Sequence, residues 1–290
     1  MVDLVSASCL AIELFLIETM PSKVDPAILK ALSLNAETTT IVSHGGSGFS
    51  STFRLTSAPE DGEEQLFFVK IGGMDSKVMF VGEYASLLAI HTTDPTLCPR
   101  PYAHGPLSLT QGFFLATSFL SPHPSANPSL SSGTALAHKL AKLHSRPAPI
   151  PDGCENPMWG FPVPTCCGAE ERQGRDSELH DLVNMTIDRV VPRLLRPGRL
   201  TSPDGSPIQP ALVHGDLWSG NHGRGSLSPC STIEEVVFDP SACYAHSEFE
   251  FGIMGMFGGF GDAFHTAYWE VKAKDEPAGE WGARRRLYEL

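Results

Sequence analysis

Two aspartates and one asparagine in the second half of the chain have the side-chain types and the spacing of a phosphotransfer site. Asp216 lies five positions before Asn221 within residues 214–221 (HGDLWSGN), and Asp239 follows Asn221 by 18 positions. In kinase-type sites one carboxylate accepts the proton of the attacking hydroxyl, while an amide and a second carboxylate bind Mg²⁺. The set therefore predicts Asp216 as the catalytic base and Asn221 and Asp239 as magnesium ligands.

Each of these residues also has an ordinary explanation when it is taken alone. An aspartate beside a glycine is more often a turn former than a catalytic group. The combination argues against that explanation, because apolar runs at residues 211–213 and 233–238 predict two strands whose ends present the oxygen ligands. His214 is expected to brace the loop through hydrogen bonds, and Trp218 is expected to be a packing anchor.

A lysine and a glutamate in the first half complete the predicted site. Lys70 lies near the end of a predicted strand at residues 65–71, and Glu83 lies 13 positions later in a predicted helix at residues 79–90. Alone, such residues are usually solvent-exposed charges. Beside the aspartate and asparagine set, they match the strand lysine and helix glutamate with which kinases hold ATP phosphates, so we predict an ion pair in that role.

A glycine-rich segment precedes that strand. Residues 44–55 (HGGSGFSSTFRL) predict a turn that runs into a strand, and residues 65–71 then complete a hairpin. Backbone N–H groups in such a turn can lie over phosphates, although the signal is weak alone. The predicted nucleotide-binding positions are Gly45, Gly46, Ser47 and Gly48. The adenine is expected against the end of a further predicted strand, at residues 112–120.

The elements around these residues predict an α+β fold of two lobes. A proline- and serine-rich stretch at residues 118–126 has linker composition and predicts the hinge. Residues 1–121 would form an N-lobe of antiparallel sheet plus helix that clamps the nucleotide, and residues 122–290 a mainly helical C-lobe that carries the chemistry. Apolar residues at helical spacing predict helices at residues 134–144 and 179–191, each with a buried face.

Two charged clusters near the C-terminus receive structural interpretations. Residues 284–286 (RRR) are expected to form a solvated turn of the last helix. His246, Glu248 and Glu250 could bind a metal, but the acids are expected instead to cap and orient the helix that follows them.

Composition and charge narrow the classes of protein that the chain can represent. The chain has 290 residues, of which 41% are hydrophobic, and a formal net charge of −12. This charge argues against nucleic acid and against an anionic membrane as partners, and no apolar run approaches the length of a membrane span. The seven cysteines form no CxxC pair, which indicates neither a zinc site nor a disulfide framework, so a cytoplasmic location is expected.

Several motifs resemble those of the fructosamine kinase (ketosamine-3-kinase) family, and the similarity covers most of the chain after the first few tens of residues. It is strongest at residues 212–221, 238–248 (FDPSACYAHSE) and 256–260 (MFGGF), with moderate similarity at residues 69–70, 79–83, 159–161 and 165–168.

The resemblance implies a bilobal fold like that of aminoglycoside phosphotransferases and protein kinases. It also implies ATP-dependent phosphorylation, with Mg²⁺, of the sugar 3-hydroxyl of ketoamines such as ribulosamines or fructosamines, on glycated proteins or small molecules. In the family the 3-phosphate eliminates and frees the amine, which repairs glycated proteins. Carried over by position, Asp216 is the base, Asn221 and Asp239 bind Mg²⁺, and Lys70 paired with Glu83 holds the ATP phosphates.

The chain departs from the family pattern at three places. Gly168 passes directly to residues 169–176 (AEERQGRD), where the family has a further segment, so an internal deletion is expected. The chain ends at Leu290, where the family continues through another helix and a tail. Both departures concern the sugar side of the pocket and the C-lobe. The glycine-rich loop also lacks the cysteine of some relatives, which gives no reason to predict redox-controlled dimerisation.

Two other functions stay open on the sequence alone. A small-molecule kinase for an aminoglycoside, choline or homoserine-like acceptor would use the same Asp–Asn–Asp set, although the LWSGN and FGGF segments favour the ketosamine branch. A weakly active or inactive nucleotide-binding relative is the other alternative, because of the expected deletion and the early end. The presence of every predicted phosphate-transfer residue argues against outright loss of activity.

Overall fold

The first half of the chain is built on a five-stranded antiparallel sheet. The computed structural model describes residues 23–46, 50–58, 62–122, 134–166, 177–228 and 232–290. The strands of this sheet are β1 (Thr39–Gly46), β2 (Ser51–Ser57), β3 (Gln65–Gly72), β4 (Pro101–Pro106) and β5 (Phe113–Ser118), in the order β1-β2-β3-β5-β4. Helices α1 (Pro26–Leu32) and α2 (Ser76–Thr93) accompany it.

The second half is mainly helical and contains two small sheets. The short strand β6 (Ser121–Pro122) joins β8 (His222–Ser226) and β9 (Glu234–Val237), and β7 (Ala211–Val213) pairs with β10 (Cys243–Ala245). The helices are α3 (Thr134–His144), α4 (Ser177–Arg189), α5 (Val191–Leu194), α6 (Glu250–Phe257), α7 (Asp262–Val271) and α8 (Trp281–Tyr288). Short 3-10 turns lie at Ser247–Phe249 and Ala278–Glu280.

Side chains alternate along β3, so that one side of the strand faces the core of the first lobe and the other side carries Lys70. Phe67 and Val69 point to one side, where they join Leu55 of β2 and Ile28 of α1 in a buried cluster. Because side chains alternate along a strand, Lys70 points to the opposite side, toward the second lobe. The predicted hairpin is confirmed, since β2 and β3 pair in antiparallel register.

Helix α3 carries the core of the second lobe and supports the strand that leads to Asp216. It begins and ends where the sequence predicts, and Leu136, Leu140 and Leu143 are buried as expected. These leucines pack in one cluster with Leu212 of β7 and Tyr268 of α7. The position of β7 is therefore set by the largest hydrophobic cluster of the described chain.

Helix α4 forms where it is predicted, but the prediction that its apolar face is buried is wrong. Leu182 is 50% exposed, Val183 47% and Ile187 54%. Periodicity identifies an apolar face without identifying a partner for it. Among the described elements, α4 packs mainly against the short helix α5, which does not cover that face.

Arg284 is fully buried, so the prediction of a solvated turn at residues 284–286 is wrong for this residue. Its guanidinium donates to both oxygens of Glu248, from Nε at 2.6 Å and from Nη2 at 3.0 Å. Nη2 also donates to the carbonyl of Asp275 and Nη1 to that of Pro277. Arginine is buried here because these oxygens satisfy its charge and its N–H groups.

No side chain caps the start of α6, so the expected cap is wrong, although Glu250 does lie in the first turn of that helix. His246, Glu248 and Asp275 lie close enough together to hold a metal ion. The Arg284 guanidinium already occupies the carboxylate of Glu248, and His246 Nε2 lies 2.9 Å from Asp275 Oδ2. This cluster is therefore a buried structural network.

The α+β fold class with an antiparallel sheet in the first lobe is confirmed. The division at residues 121 and 122 stays a prediction. In the ranges that the structure describes, no helix combines the length and the apolar character needed to cross a membrane.

Candidate active site

Two adjacent loops in the second lobe carry the predicted base and the predicted metal ligands. The first, residues 214–221, runs from β7 to β8, and the second, residues 238–242, runs from β9 to β10. Since β7 pairs with β10 and β8 pairs with β9, the loops are joined at both ends. His222 stands opposite Val237, which puts Asn221 beside Phe238 and next to Asp239.

Backbone contacts close the space between the two loops. The Ser241 N–H donates to the carbonyl of His214 and the Phe238 N–H to that of Asn221, each at 3.0 Å. Gly215 has φ +81°, and a Cβ atom there would lie 2.1 Å from the carbonyl oxygen of Ser241. Only glycine fits this approach, which explains the glycine that precedes Asp216.

The side chains of Asp216 and Asn221 are held together at the end of the first loop. Asn221 Nδ2 donates to the carbonyl of Asp216 at 2.8 Å and to its Oδ2 at 3.0 Å. This arrangement leaves the side-chain oxygen of Asn221 for another partner. With the half-exposed carboxylate of Asp239, it forms the all-oxygen donor set that suits Mg²⁺, so the residues present fit this ion.

Lys70 reaches from the first lobe to its predicted partner Glu83 and also to Asp239, a contact that the sequence did not predict. Its Nζ lies 2.8 and 2.9 Å from the two oxygens of Glu83 and 2.8 Å from Asp239 Oδ1. The predicted contact between Lys70 and Glu83 is thus present, and a role in holding phosphates stays a prediction. Asp239 has φ +57°, a left-handed conformation that aspartate tolerates better than most residues.

Burial and charge set the protonation of these groups. Burial alone would lower the pKa of Lys70, but the carboxylates of Glu83 and Asp239 outweigh it and raise that pKa. Burial raises the pKa of Glu83, and Lys70 opposes that rise. We take the pair as charged, because the ammonium lies within hydrogen-bond distance of both Glu83 oxygens.

The surroundings of Asp216 raise the pKa of its carboxyl group. Burial raises its pKa to about 6, and the carboxylates of Asp239 and Glu250 act in the same direction, against the hydrogen bond from Asn221. A base with a pKa slightly below neutrality is deprotonated at neutral pH and still accepts a proton readily.

His214 connects the two loops as the predicted brace. Its Nδ1 accepts the N–H of Asp216 at 3.3 Å, so its Nε2 carries the proton and donates to the carbonyl of Phe238 at 3.0 Å. Burial lowers the pKa of His214, which favours this neutral form. The expected bracing by hydrogen bonds is confirmed.

Glu250 accepts two backbone hydrogen bonds from the start of the first loop, a role that the sequence did not indicate. Its carboxylate accepts the N–H of His214 at 2.5 Å and the N–H of Gly215 at 3.1 Å. His144 lies 3.5 Å from the same carboxylate. Although burial opposes its charge, the contacts with His144 and His214 lower the pKa of Glu250. This role could not be predicted from local sequence patterns, because the bonds join residues 35 or 36 positions apart.

A cavity of about 310 Å³ lies where β5 meets the predicted hinge. Its lining includes Glu83 and Asp239 and a set of aromatic rings, His44, Phe68, Phe119 and Phe238. The rings of His44 and Phe119 lie 4.9 Å apart. Aromatic side chains beside polar backbone suit a planar heterocycle. Two of the lining residues, Glu83 and Asp239, also contact Lys70.

His44, the first residue of the glycine-rich segment, lines this cavity. Gly45 and Gly46 end β1, and the hydroxyl of Thr52 donates to the carbonyl of His44 at 2.8 Å. The other two predicted positions, Ser47 and Gly48, lie outside the described residues. The nucleotide-binding role of all four positions stays a prediction.

Trp218 packs within the first loop and against the end of α6, as expected for an anchor. A Cβ atom on Gly220 would lie 2.2 Å from its ring, and the ring centroid is 5.4 Å from that of Phe257. The ring of Phe260 lies 5.0 Å from that of His222, tilted by 45°. The FGGF segment therefore contacts the first loop through Phe257 and Gly259, and β8 through Phe260.

Comparison with known proteins gives a consistent family. The family model described as "Fructosamine kinase" matches residues 24–181 and 168–290, so residues 168–181 are matched twice. Ketosamine-3-kinase from Mus musculus is 31% identical over 269 residues, which cover 79% of this chain and 81% of that protein. Protein-ribulosamine 3-kinase, chloroplastic, from Oryza sativa subsp. japonica is 32% identical over 250 residues, which cover 77% of this chain and 65% of that protein.

A solved structure has the same fold. It is a provisionally assigned fructosamine-3-kinase from Haemophilus somnus 129PT, with a TM-score of 0.62 and 20% identity, covering 90% of this chain and 86% of that one.

Proposed function

The chain belongs to the fructosamine kinase family, and we propose that it transfers the γ-phosphoryl group of ATP to the sugar 3-hydroxyl of protein-bound ketoamines, of the ribulosamine or fructosamine type. Membership makes it an ATP-dependent kinase with a bilobal kinase-like fold. The observation that carries the proposal is the contact of Lys70 with both Glu83 and Asp239, beside the bonded Asp216 and Asn221.

Asp216 is proposed as the general base. Its carboxylate accepts the proton of the sugar 3-hydroxyl while that oxygen bonds to the γ-phosphorus of ATP. The bond between this phosphorus and the bridging oxygen breaks, and ADP leaves. With its pKa raised to about 6, Asp216 matches the base strength that such a transfer needs near neutral pH.

Lys70 is proposed to hold the ATP phosphates, with Glu83 fixing its direction. Asn221 and Asp239 would hold Mg²⁺, which when bound neutralises charge on the phosphates. Contact with Lys70 already orients the Asp239 carboxylate, and Asn221 is oriented by its bonds to Asp216.

The aromatic cavity is proposed as the adenine pocket. Its lining includes His44 of the glycine-rich segment, Pro122 of the predicted hinge, and the carboxylate residues Glu83 and Asp239. Adenine placed there would have its phosphates directed toward Lys70. This position agrees with the expectation that adenine lies against the end of the strand now identified as β5.

Residues 1–121 are proposed as the nucleotide-clamping lobe and residues 122–290 as the catalytic and substrate-binding lobe. We also propose that a family segment is missing after Gly168. Two facts support this: the family match covers residues 168–181 twice, and the apolar face of α4 just after this point is exposed.

One experiment separates the possible functions. Thermal stability of the protein would be titrated with Mg·ATP, and ADP release would then be measured with ribulosamine-lysine, fructosamine-lysine, an aminoglycoside and choline. Stabilisation with turnover on a ketoamine supports the proposal. Turnover on the aminoglycoside or choline alone would indicate a small-molecule kinase, and stabilisation without turnover on any acceptor an inactive nucleotide-binding relative.

A further inference from the structure

Ser86 lies in the middle of α2, fully buried, and its hydroxyl makes a hydrogen bond that crosses to the second lobe. The hydroxyl donates to the carbonyl of Gly82 at 2.7 Å in its own helix. It also accepts the backbone N–H of Ala242 at 3.0 Å. Ala242 belongs to the loop of residues 238–242 that carries Asp239.

This bond lies beside the ion pair of the phosphate site. Glu83 and Ser86 are three positions apart in one helix, so they occupy the same face. Glu83 reaches Asp239 through Lys70, and Ser86 reaches Ala242 directly. The same face of α2 is therefore attached to the same loop at two points.

The rest of α2 is already fixed at one end. After the helix, the carbonyl of Leu97 accepts the N–H of Val237 at 2.8 Å, and Lys139 donates to the carbonyl of Thr96 at 2.9 Å. A rotation of α2 about this anchored end would move Glu83 away from Lys70. The bond between Ser86 and Ala242 opposes that rotation from a position one turn from Glu83.

The choice of serine at this position needs a reason beyond the helix itself. Serine favours helices less than alanine does, and a hydroxyl that bonds back to the preceding turn adds little to helix stability. Ala242 is buried, and without Ser86 its N–H would lose the acceptor it has in this structure. An unsatisfied buried N–H destabilises the folded protein, so the Ser86 hydroxyl stabilises the contact between the lobes by accepting this N–H.

We propose that Ser86 is a positioning residue for phosphate transfer: its bond to Ala242 keeps the helix that carries Glu83 in place against the loop that carries Asp239. The inference rests on the proposed function for the chemistry that it serves. Ser86 itself touches neither nucleotide nor acceptor in this role, and acts through Glu83 and Asp239.

The test compares Ser86→Ala and Ser86→Cys with Thr93→Ala. Thr93 lies in the same helix and makes the same type of bond, to the carbonyl of Ala89 at 3.0 Å, but has no partner in the loop of residues 238–242. The thiol of Ser86→Cys fills the space of the hydroxyl and is a weak acceptor. It keeps the test decisive if Ser86→Ala folds poorly.

The main readout is the Mg²⁺ concentration that gives half of the thermal stabilisation by the non-hydrolysable ATP analogue AMP-PNP. Both Ser86 variants should need about tenfold more Mg²⁺, the effect of one lost buried hydrogen bond, while Thr93→Ala should stay within about twofold of wild type. In turnover assays the Ser86 variants should lower kcat and leave the KM for the ketoamine unchanged.

Two results would overturn this inference: an unchanged Mg²⁺ requirement in both Ser86 variants, or an equal shift in Thr93→Ala. Failure of the proposed function looks different. If wild type binds AMP-PNP with Mg²⁺ but phosphorylates no ketoamine, the substrate proposal is wrong, and a raised Mg²⁺ requirement in the Ser86 variants still supports the positioning role.

Discussion

Helices α3 and α4 both show a regular apolar face in the sequence, yet only α3 buries that face. Behind α3 lie β7 and α7, and its leucines share a cluster with Leu212 of β7. On α4 the corresponding residues face solvent among the described elements. The difference shows that the part of the second lobe behind the strand that leads to Asp216 is packed, while the apolar face of α4, after the proposed deletion, is not.

The largest expected effect concerns Asp216, the proposed base, in the loop that follows β7. Asp216→Asn should lower kcat about 10³-fold, because asparagine cannot accept the hydroxyl proton, with AMP-PNP binding largely retained. ADP release on a ketoamine substrate measures it. The matched control is Asp181→Asn on exposed α4, which should keep wild-type turnover. Full activity in Asp216→Asn would remove Asp216 from the role of base.

The next effect tests the hydrophobic core that packs against β7. Leu140→Ala should lower the free energy of unfolding by about 2–5 kcal/mol, because Leu140 is fully buried and its removal leaves a cavity in the cluster around β7. Urea unfolding followed by circular dichroism measures the change. A loss below about 1 kcal/mol would mean that α3 is not packed as the structure shows.

A substitution at Glu250 tests whether this residue positions the loop that carries Asp216, the proposed base. Glu250→Gln should lower kcat about tenfold to a hundredfold. The two carboxylate oxygens accept the N–H groups of His214 and Gly215, and the glutamine side chain has only one oxygen, so one of these N–H groups would face the NH₂ of the amide. The KM for ATP should change little. Glu270→Gln, on the exposed surface of α7, is the control and should match wild type. An equal loss in both variants would contradict the positioning role.

The sequence alone predicted the parts of the site that depend on neighbouring positions. Asp216 and Asn221 lie in one loop, and the register of β8 with β9 puts Asp239 next to them. The Lys70–Glu83 pair could be predicted because a lysine at a strand end and a glutamate in the following helix match a known arrangement.

The missed features depend on contacts between residues distant in sequence. Ser86 bonds to Ala242 across 156 positions, and the oxygens that accept hydrogen bonds from the buried Arg284 include both carboxylate oxygens of Glu248, 36 positions away. Local patterns assign a polar residue to the surface by default. The same limit explains α4, whose amphipathic pattern contains no information about what packs against it.

A smaller effect concerns pH and the buried histidine of α3. Burial lowers the pKa of His144, against the opposing influence of Glu250, while Lys272 and His246 lower it further. Tyr268 OH lies 2.8 Å from its Nδ1. Below about pH 6.5 the unfolded chain binds a proton that the folded chain does not, so the free energy of unfolding falls by up to about 1.4 kcal/mol per pH unit.

Urea unfolding between pH 7 and pH 5 would measure this dependence. His144→Gln removes the titrating group and should make the decrease smaller, whereas Tyr268→Phe keeps the histidine and should retain the wild-type slope. Equal slopes in wild type and His144→Gln would show that His144 is not held neutral in the folded protein.

The smallest expected effect lies on α4 and completes the comparison. Leu182→Ala makes the same chemical change as Leu140→Ala, but at a half-exposed position, so it should change the free energy of unfolding by no more than about 0.5 kcal/mol. Because both variants replace leucine by alanine, the difference between their urea unfolding curves measures the effect of burial alone. A loss of about 2 kcal/mol or more at Leu182 would mean that the face is covered in solution, and α4 would then be as well packed as α3.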